Sequence, residues 1–198
     1  MRKFLPLLLL SLIWSCKNNP EQQTPVNVAQ EDAVTMSGLI YPEETHFKSL
    51  RQVTFGGDNA EAYWSFDDQQ IVFQSNYSEW GVGCDQMFLM DATQEFSATQ
   101  PPMISTGKGR TTCAYFLPDN QHFVYASTHL ADENCPEVPL RKNGNYVWPV
   151  YDSFDIFVAD LEGNITGQLT NEPGYDAEAT VSPKGDKIVF TSTRSGDL

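Results

Sequence analysis

The stretch GQLTNEPGYDAEATVSPKGDKIVFTS, residues 167–192, repeats with one insertion what RQVTFGGDNAEAYWSFDDQQIVFQS spells over residues 51–75. Gln-x-Thr, Ala-Glu-Ala, a Ser that opens a tight turn, then Ile-Val-Phe and a Ser recur in the same order. A degenerate copy, MISTGKGRTTCAYFLPDNQHFVYAS, occupies residues 103–127. A unit this short cannot bury a hydrophobic face alone, so repeats built from short strands stack as sheets.

Each copy carries one hairpin device: Ser65-Phe66-Asp67-Asp68, Leu117-Pro118-Asp119-Asn120 and Ser182-Pro183-Lys184-Gly185. Proline pre-sets φ at the second position, and Asp, Asn or Gly takes the left-handed conformation that closes a three-residue loop. Six positions after each turn begins comes an apolar triplet: Ile71-Val72-Phe73, Phe123-Val124-Tyr125 and Ile188-Val189-Phe190. Such β-branched and aromatic runs between turn signals predict strands buried on both faces. Before the turns lie the strands Ala60 to Trp64, Thr112 to Phe116 and Ala177 to Val181. After them come third strands, Gln86 to Asp91 and Asp155 to Asp160. Closing strands ending in Thr follow, Met103 to Thr106 and Gln168 to Thr170, with Gln52 to Thr54 as an earlier one.

Four strands joined as a meander make one blade of a β-propeller, so the expected fold is all-β, antiparallel, with about two and a half blades present. The turns are separated by 52 and then 65 residues. Blades typically run ~40–50 residues, so the second must hold an insertion. The run THLADENCPEVPLRKNGNYVWPVY, residues 128–151, has three prolines, mixed charge and no period. The expected layout is a closing strand over 49–55, a first blade over 59–106, a second over 110–170 and a third from 175.

The Ser-Pro-x-Gly-x-x-Ile-x-Phe-x-Ser run of residues 182–192, with an Asp-Ile-Phe strand at 155–157, resembles the WD-like propeller repeats of the TolB family. The resemblance covers roughly residue 50 to the C-terminus; the first copy lacks the turn proline, and the second has Leu117 for Ser. It implies a propeller, commonly of six blades, whose surface serves protein contacts without catalysis. Related propellers also precede the hydrolase domain of prolyl oligopeptidase-like peptidases, so the fold leaves function open. Two and a half blades cannot close a ring of typically 4–8. An N-terminal piece of a longer protein is therefore expected, with residues 49–55 clasping its last blade.

Residues 1–15 read as an export signal. Arg2 and Lys3 precede an apolar core from Phe4 to Trp14, too short to span a bilayer as a helix. Leu12-Ile13-Trp14-Ser15-Cys16 resembles a bacterial lipobox, which implies acylation of Cys16. The polar run that follows, rich in Asn, Gln, Pro and Glu, predicts a tether over 16–45 with the propeller over 46–198. Lys17 after the Cys, by resemblance to the sorting rule of Gram-negative lipoproteins, implies the outer membrane, facing either the periplasm or the exterior.

Loss of Arg2 and Lys3 would leave 10 basic residues against 26 acidic ones, a net charge of −16. Nucleic-acid binding needs a basic stripe, and none is present. The scattered acids form no Asp-x-Asp-x-Asp-Gly loop, so no metal site and no cofactor is expected. Cys84, Cys113 and Cys135 show no zinc spacing. Cys113 opens the second blade's innermost strand, where the other blades carry Glu61 and Glu178. Cys84 opens the first blade's third strand, and Cys135 lies in the insertion. In a meander these places share one end, and export favours a disulfide. Closeness in sequence to Ser127 favours Cys113–Cys135, with Cys84–Cys113 as the alternative.

The only nucleophile–base pair to weigh is Cys135 or a Ser with His129, and no third orienting residue accompanies it. No Gly-x-Ser-x-Gly elbow occurs. The binding candidates are the aromatic residues Tyr146, Trp148 and Tyr151 of the insertion and Trp80 in the corresponding loop of the first blade. Either they contact a protein or glycan of the envelope, or their rings fold back and seal the loops onto the blades.

Overall fold

Each of the three copies folds as a hairpin, and the turn chemistry explains why. The amides of Asp68, Asn120 and Gly185 donate to the carbonyls of Ser65, Leu117 and Ser182 at 3.1, 3.1 and 2.8 Å. Those three closing residues have φ of 58°, 54° and 71°, the left-handed region that Asp, Asn and Gly tolerate. Ser65 Oγ accepts from the amides of Gln69 and Gln70, and Ser182 Oγ from that of Lys187. Leu117 has no hydroxyl, and there the Asp119 carboxylate takes over, accepting from the amides of Gln121 and His122.

A computed structural model describes residues 40–198. The export signal, Cys16 and the tether as far as residue 39 lie outside the described residues. The strands are β1 (Asn59–Trp64), β2 (Gln70–Ser75), β3 (Gln86–Asp91), β4 (Thr111–Phe116), β5 (His122–Ser127), β6 (Asp155–Asp160), β7 (Ile165–Gln168), β8 (Asp176–Val181) and β9 (Ile188–Ser192). Sequence neighbours pair antiparallel into sheets β1-β2-β3, β4-β5-β6-β7 and β8-β9. The fold is all-β, an incomplete propeller in which successive meanders pack face to face.

Strand periodicity builds that packing. Side chains of a strand alternate between its two faces. From β5, Phe123 and Tyr125 pack with Val72, Met87 and Ile104 of the first blade, and Phe157 and Ala159 of β6 join them. Val124 and Ala126 point the other way, with Ile156 and Phe154, onto Tyr175, Ala177, Ala179 and Val181 of the third blade. The middle blade is thus apolar on both faces because it is sandwiched. Each fully buried ring or branched chain contributes roughly 1.5–3 kcal/mol.

Three expectations differ from the structure. The triplet pattern places Ile188 and Val189 inside, yet Val189 is 70% exposed, since no sheet covers that side of β9 among the described residues. The first blade's closing segment shrinks to a bridge between Phe88 and Met103 and two flanking backbone bonds. Pro101 and Pro102, which carry no N–H, stop it from pairing further. Residues 49–55 form no strand; Val53 and Thr54 instead lie beside Ile71, Phe73 and Met90 on the first blade's outer side.

The first strand of every blade carries the same irregularity. Register shifts fall between Ala60 and Tyr63, Thr112 and Tyr115, and Ala177 and Thr180. Within each bulge one non-glycine residue is left-handed: Glu61, Cys113 and Glu178, at φ of 51°, 52° and 58°. A side-chain-bearing residue held there costs on the order of 1–3 kcal/mol. The same strain recurs at equivalent positions three times.

Candidate functional site

The three bulges converge. Glu61, Cys113 and Glu178, one from each blade, line a single cavity of about 210 Å³ with Tyr63, Ala179, Thr180 and the indole of Trp148. Tyr63 donates its hydroxyl to Glu61 Oε2 at 2.9 Å, and Thr191 donates to Glu178 Oε2 at 2.7 Å. Gln74 Oε1 accepts from the amide of Cys113 at 3.1 Å, tying the second blade's bulge to β2 of the first. The hydrogen bond to Glu61, then burial, pushes the Tyr63 phenol up to about 12. Burial, with Glu61 and Glu178 adding to it against the Thr112 hydroxyl, pushes the Cys113 thiol up to about 11. Cys113 is thus a protonated thiol at neutral pH, and it is not in a disulfide.

Trp148 also borders a second, smaller cleft of about 110 Å³, with Tyr146, Pro149, Tyr151, Phe154 and Tyr175 along its rim. Its polar wall is the ion pair of Arg110 with Asp85, which crosses from the second blade to the first. Three of the four aromatic candidates therefore meet in one place. Tyr146 is 64% exposed and Trp148 58%, and their rings stand edge to face at 6.2 Å. Tyr151 is more structural: its ring lies 6.0 Å from Phe154, and its hydroxyl donates to the Glu137 carbonyl. Trp80 is placed elsewhere. It packs 4.9 Å from Phe88 and 6.4 Å from Phe73, and it lines a separate cleft of about 560 Å³ with Phe55, Phe96 and Pro102.

The cysteine pairing expected from sequence is corrected. Cys84 bridges Cys135, with Cα atoms 5.9 Å apart, and Cys113 stays free. The path of the insertion decides this. The amide of Gly109 donates to the Glu133 carbonyl, and Lys108 pairs with Glu133, so the loop is drawn to the linker between the first two blades, whose Gly109 carbonyl also accepts from Gln86 of β3, before it reaches Cys135. Gly109 has φ of 59°, and a Cβ there would stand 2.7 Å from the amide nitrogen of His129, so the crossing requires glycine. The left-handed bulge leaves Cys113 at the axial cavity instead.

The bridge also takes Cys135 out of the nucleophile–base pair weighed above. His129 Nδ1 lies 2.9 Å from Ser127 Oγ, but Ser127 is only 1% exposed. The imidazole packs 4.5 Å from the Phe157 ring. Burial, helped by Lys108 and opposed by Asp155, lowers its basicity below the ordinary histidine value of 6.5. The folded state therefore prefers His129 neutral, and the stability this gives is full above the ordinary value and lost as pH falls below it. Between about pH 7.5 and about pH 5 the melting temperature will fall more in the wild type than in His129→Gln. Equal falls would contradict this.

Among the described residues, no three His, Cys, Asp or Glu side chains group closely enough to hold a metal ion, and no helix is long and apolar enough to cross a membrane. No family model and no curated protein matches the chain. Among solved structures it is similar to a protein assigned as TolB from Agrobacterium tumefaciens, at 19% identity over 68% of this chain, and to TolB from Acinetobacter baumannii, at 23% over 71%. Both have a TM-score of 0.47, and the chain spans 39% and 28% of their respective lengths.

The aromatic loop was visible in the sequence; the axial cavity was not. The equivalence of Glu61, Cys113 and Glu178 could be read from the repeat, but only the bulge turns those three residues toward one another.

Proposed function

We propose that this protein is a non-catalytic lipoprotein of the bacterial cell envelope, held at the outer membrane by acylated Cys16. Its TolB-like blades serve as a scaffold that binds an envelope protein or glycan. The lipobox-like Leu12-Ile13-Trp14-Ser15-Cys16 and the polar run after it support the anchor. The observation that carries the binding role is the pair of exposed, mutually packed rings of Tyr146 and Trp148 beside clefts that three blades help to build. Exposed aromatic rings at a concave rim supply large contact area at little entropic cost, and they are over-represented among binding hot spots. A scaffold of this kind needs a rigid base, which the two buried inter-blade cores provide.

Trp148→Ala tests the role. The indole is mostly exposed, so its loss will leave the melting temperature within about 2 °C of the wild type. Retention of the protein's ligand from envelope extracts will fall at least about tenfold, the loss of a hot-spot ring. Unchanged retention with an intact fold would remove the insertion end as the binding surface.

A further inference from the structure

We propose that the axial cavity between Glu61 and Glu178 receives the cationic head of an arginine or lysine side chain from a protein partner that lies across the insertion end of the blades. This rests on the insertion end being the binding surface, and it adds which partner chemistry that surface selects.

Charge comes first. Glu61 and Glu178 reach the cavity from two different blades, and neither has an ion-pair partner among the described residues. Arg110, Lys108 and Arg194 are engaged with Asp85, Glu133 and Asp176. Hydroxyls occupy Glu61 Oε2 and Glu178 Oε2, and Tyr175 stands 3.4 Å from Glu178 Oε1, while Glu61 Oε1 has no hydrogen-bond partner among the described residues. Behind the hydrogen bond that raises Tyr63 and the burial that raises Cys113, the charge of Glu61, and at Cys113 that of Glu178, adds to the rise, and the protonated thiol adds no charge of its own. Two carboxylates that share one small cavity attract a cation to the space between them.

Shape and surface then narrow the class. At about 210 Å³ the cavity is below the ~300 Å³ at which small-molecule pockets begin, so it suits one side chain of a larger partner better than a free ligand. Trp148 stands at its rim with most of the indole in solvent, the placement from which a ring face attracts a guanidinium or ammonium. Tyr146 and Pro149 continue the surface outward for the residues flanking that side chain. A neutral glycan would leave both carboxylates without compensation. The strained conformation repeated at Glu61, Cys113 and Glu178 is what aims the two acids inward, and the neutral Cys113 between them leaves room for the incoming charge.

Three blocked peptides serve as probes against the full chain: acetyl-Gly-Arg-Gly-amide, its citrulline counterpart and its glutamate counterpart. The indole N–H resonance of Trp148 and the alkylation rate of Cys113 are the readouts. The arginine peptide will shift the resonance saturably and slow the alkylation. The isosteric but neutral citrulline peptide will bind at least about tenfold more weakly, and the glutamate peptide will give no shift. Glu61→Gln/Glu178→Gln keeps acceptors for Tyr63 and Thr191, so it will fold, and it will lose the preference for arginine over citrulline. Equal shifts from arginine and citrulline, or an undiminished preference in the double variant, would overturn the proposal. So would saturable binding of a chito-oligosaccharide with no response to the arginine peptide. If Trp148→Ala abolishes retention of the envelope ligand while Glu61→Gln/Glu178→Gln does not, the insertion end still binds but the cation pocket is refuted.

Discussion

Cys84→Ser/Cys135→Ser will lower the unfolding free energy by about 4 kcal/mol, a loss of the size expected for removing a fully buried ring. The bridge closes 51 residues of chain, and the entropy removed from the unfolded state grows with the logarithm of that length. It also ties the insertion to the first blade at a point otherwise held by the Gly109 amide and the exposed Lys108–Glu133 pair. An exposed ion pair contributes at most about 1 kcal/mol, so the covalent link dominates. The Gly109 carbonyl accepts from Gln86 Nε2 at 2.8 Å whether or not residue 84 is bridged, so the variant leaves no orphaned acceptor. Urea unfolding with and without reductant measures the effect. Reductant will move the wild type to the variant's midpoint and leave the variant where it is. A difference below about 1 kcal/mol would show that the insertion is held by other contacts.

Phe157→Ala will cost about 3–5 kcal/mol, the penalty for a fully buried ring whose neighbours cannot collapse into the space. Phe157 is 1% exposed, lies between the first and second blades, and touches the rings of Tyr125 and His129. Val189→Ala is the matched contrast. Val189 belongs to the third blade's apolar triplet, yet it is largely in solvent, and its truncation will change stability by less than about 0.5 kcal/mol. The repeat pattern alone makes the apolar triplets equivalent; the packing does not. Equal costs for the two variants would mean that the blades do not stack as described.

The contrast between those two residues shows where sequence carries structure and where it stops. Hairpins are local, so Asp68, Asn120 and Gly185 announce their left-handed turns through residue type alone. The triplet Phe123-Val124-Tyr125 announces a strand buried on both sides, and the neighbours on both sides are present. Ile188-Val189-Phe190 carries the same local signal, but burial depends on a covering sheet that is a non-local property. The bulges fail for a different reason. Glutamate and cysteine are ordinary residues with no preference for positive φ, so nothing in their chemistry marks Glu61, Cys113 or Glu178 as strained. The disulfide is not legible in the sequence because the path of an insertion without periodicity is set by a few long-range contacts, here those of Gly109 and Glu133. For the binding end, the exposed rings of Tyr146 and Trp148 were legible as candidates, whereas their junction with the cavity of Glu61 and Glu178 depended on the blades meeting at an axis.

A nuclear Overhauser spectrum of the full chain, with the aromatic rings assigned, tests the stacking of these blades most directly. Cross-peaks are expected between the rings of Tyr63 and Tyr115, whose centroids lie 5.2 Å apart across the first and second blades. They are expected also between Phe154 and Tyr175, at 5.6 Å across the second and third. Intact strands with both pairs of cross-peaks missing would contradict face-to-face stacking, and with it the shared cavity of Glu61, Cys113 and Glu178.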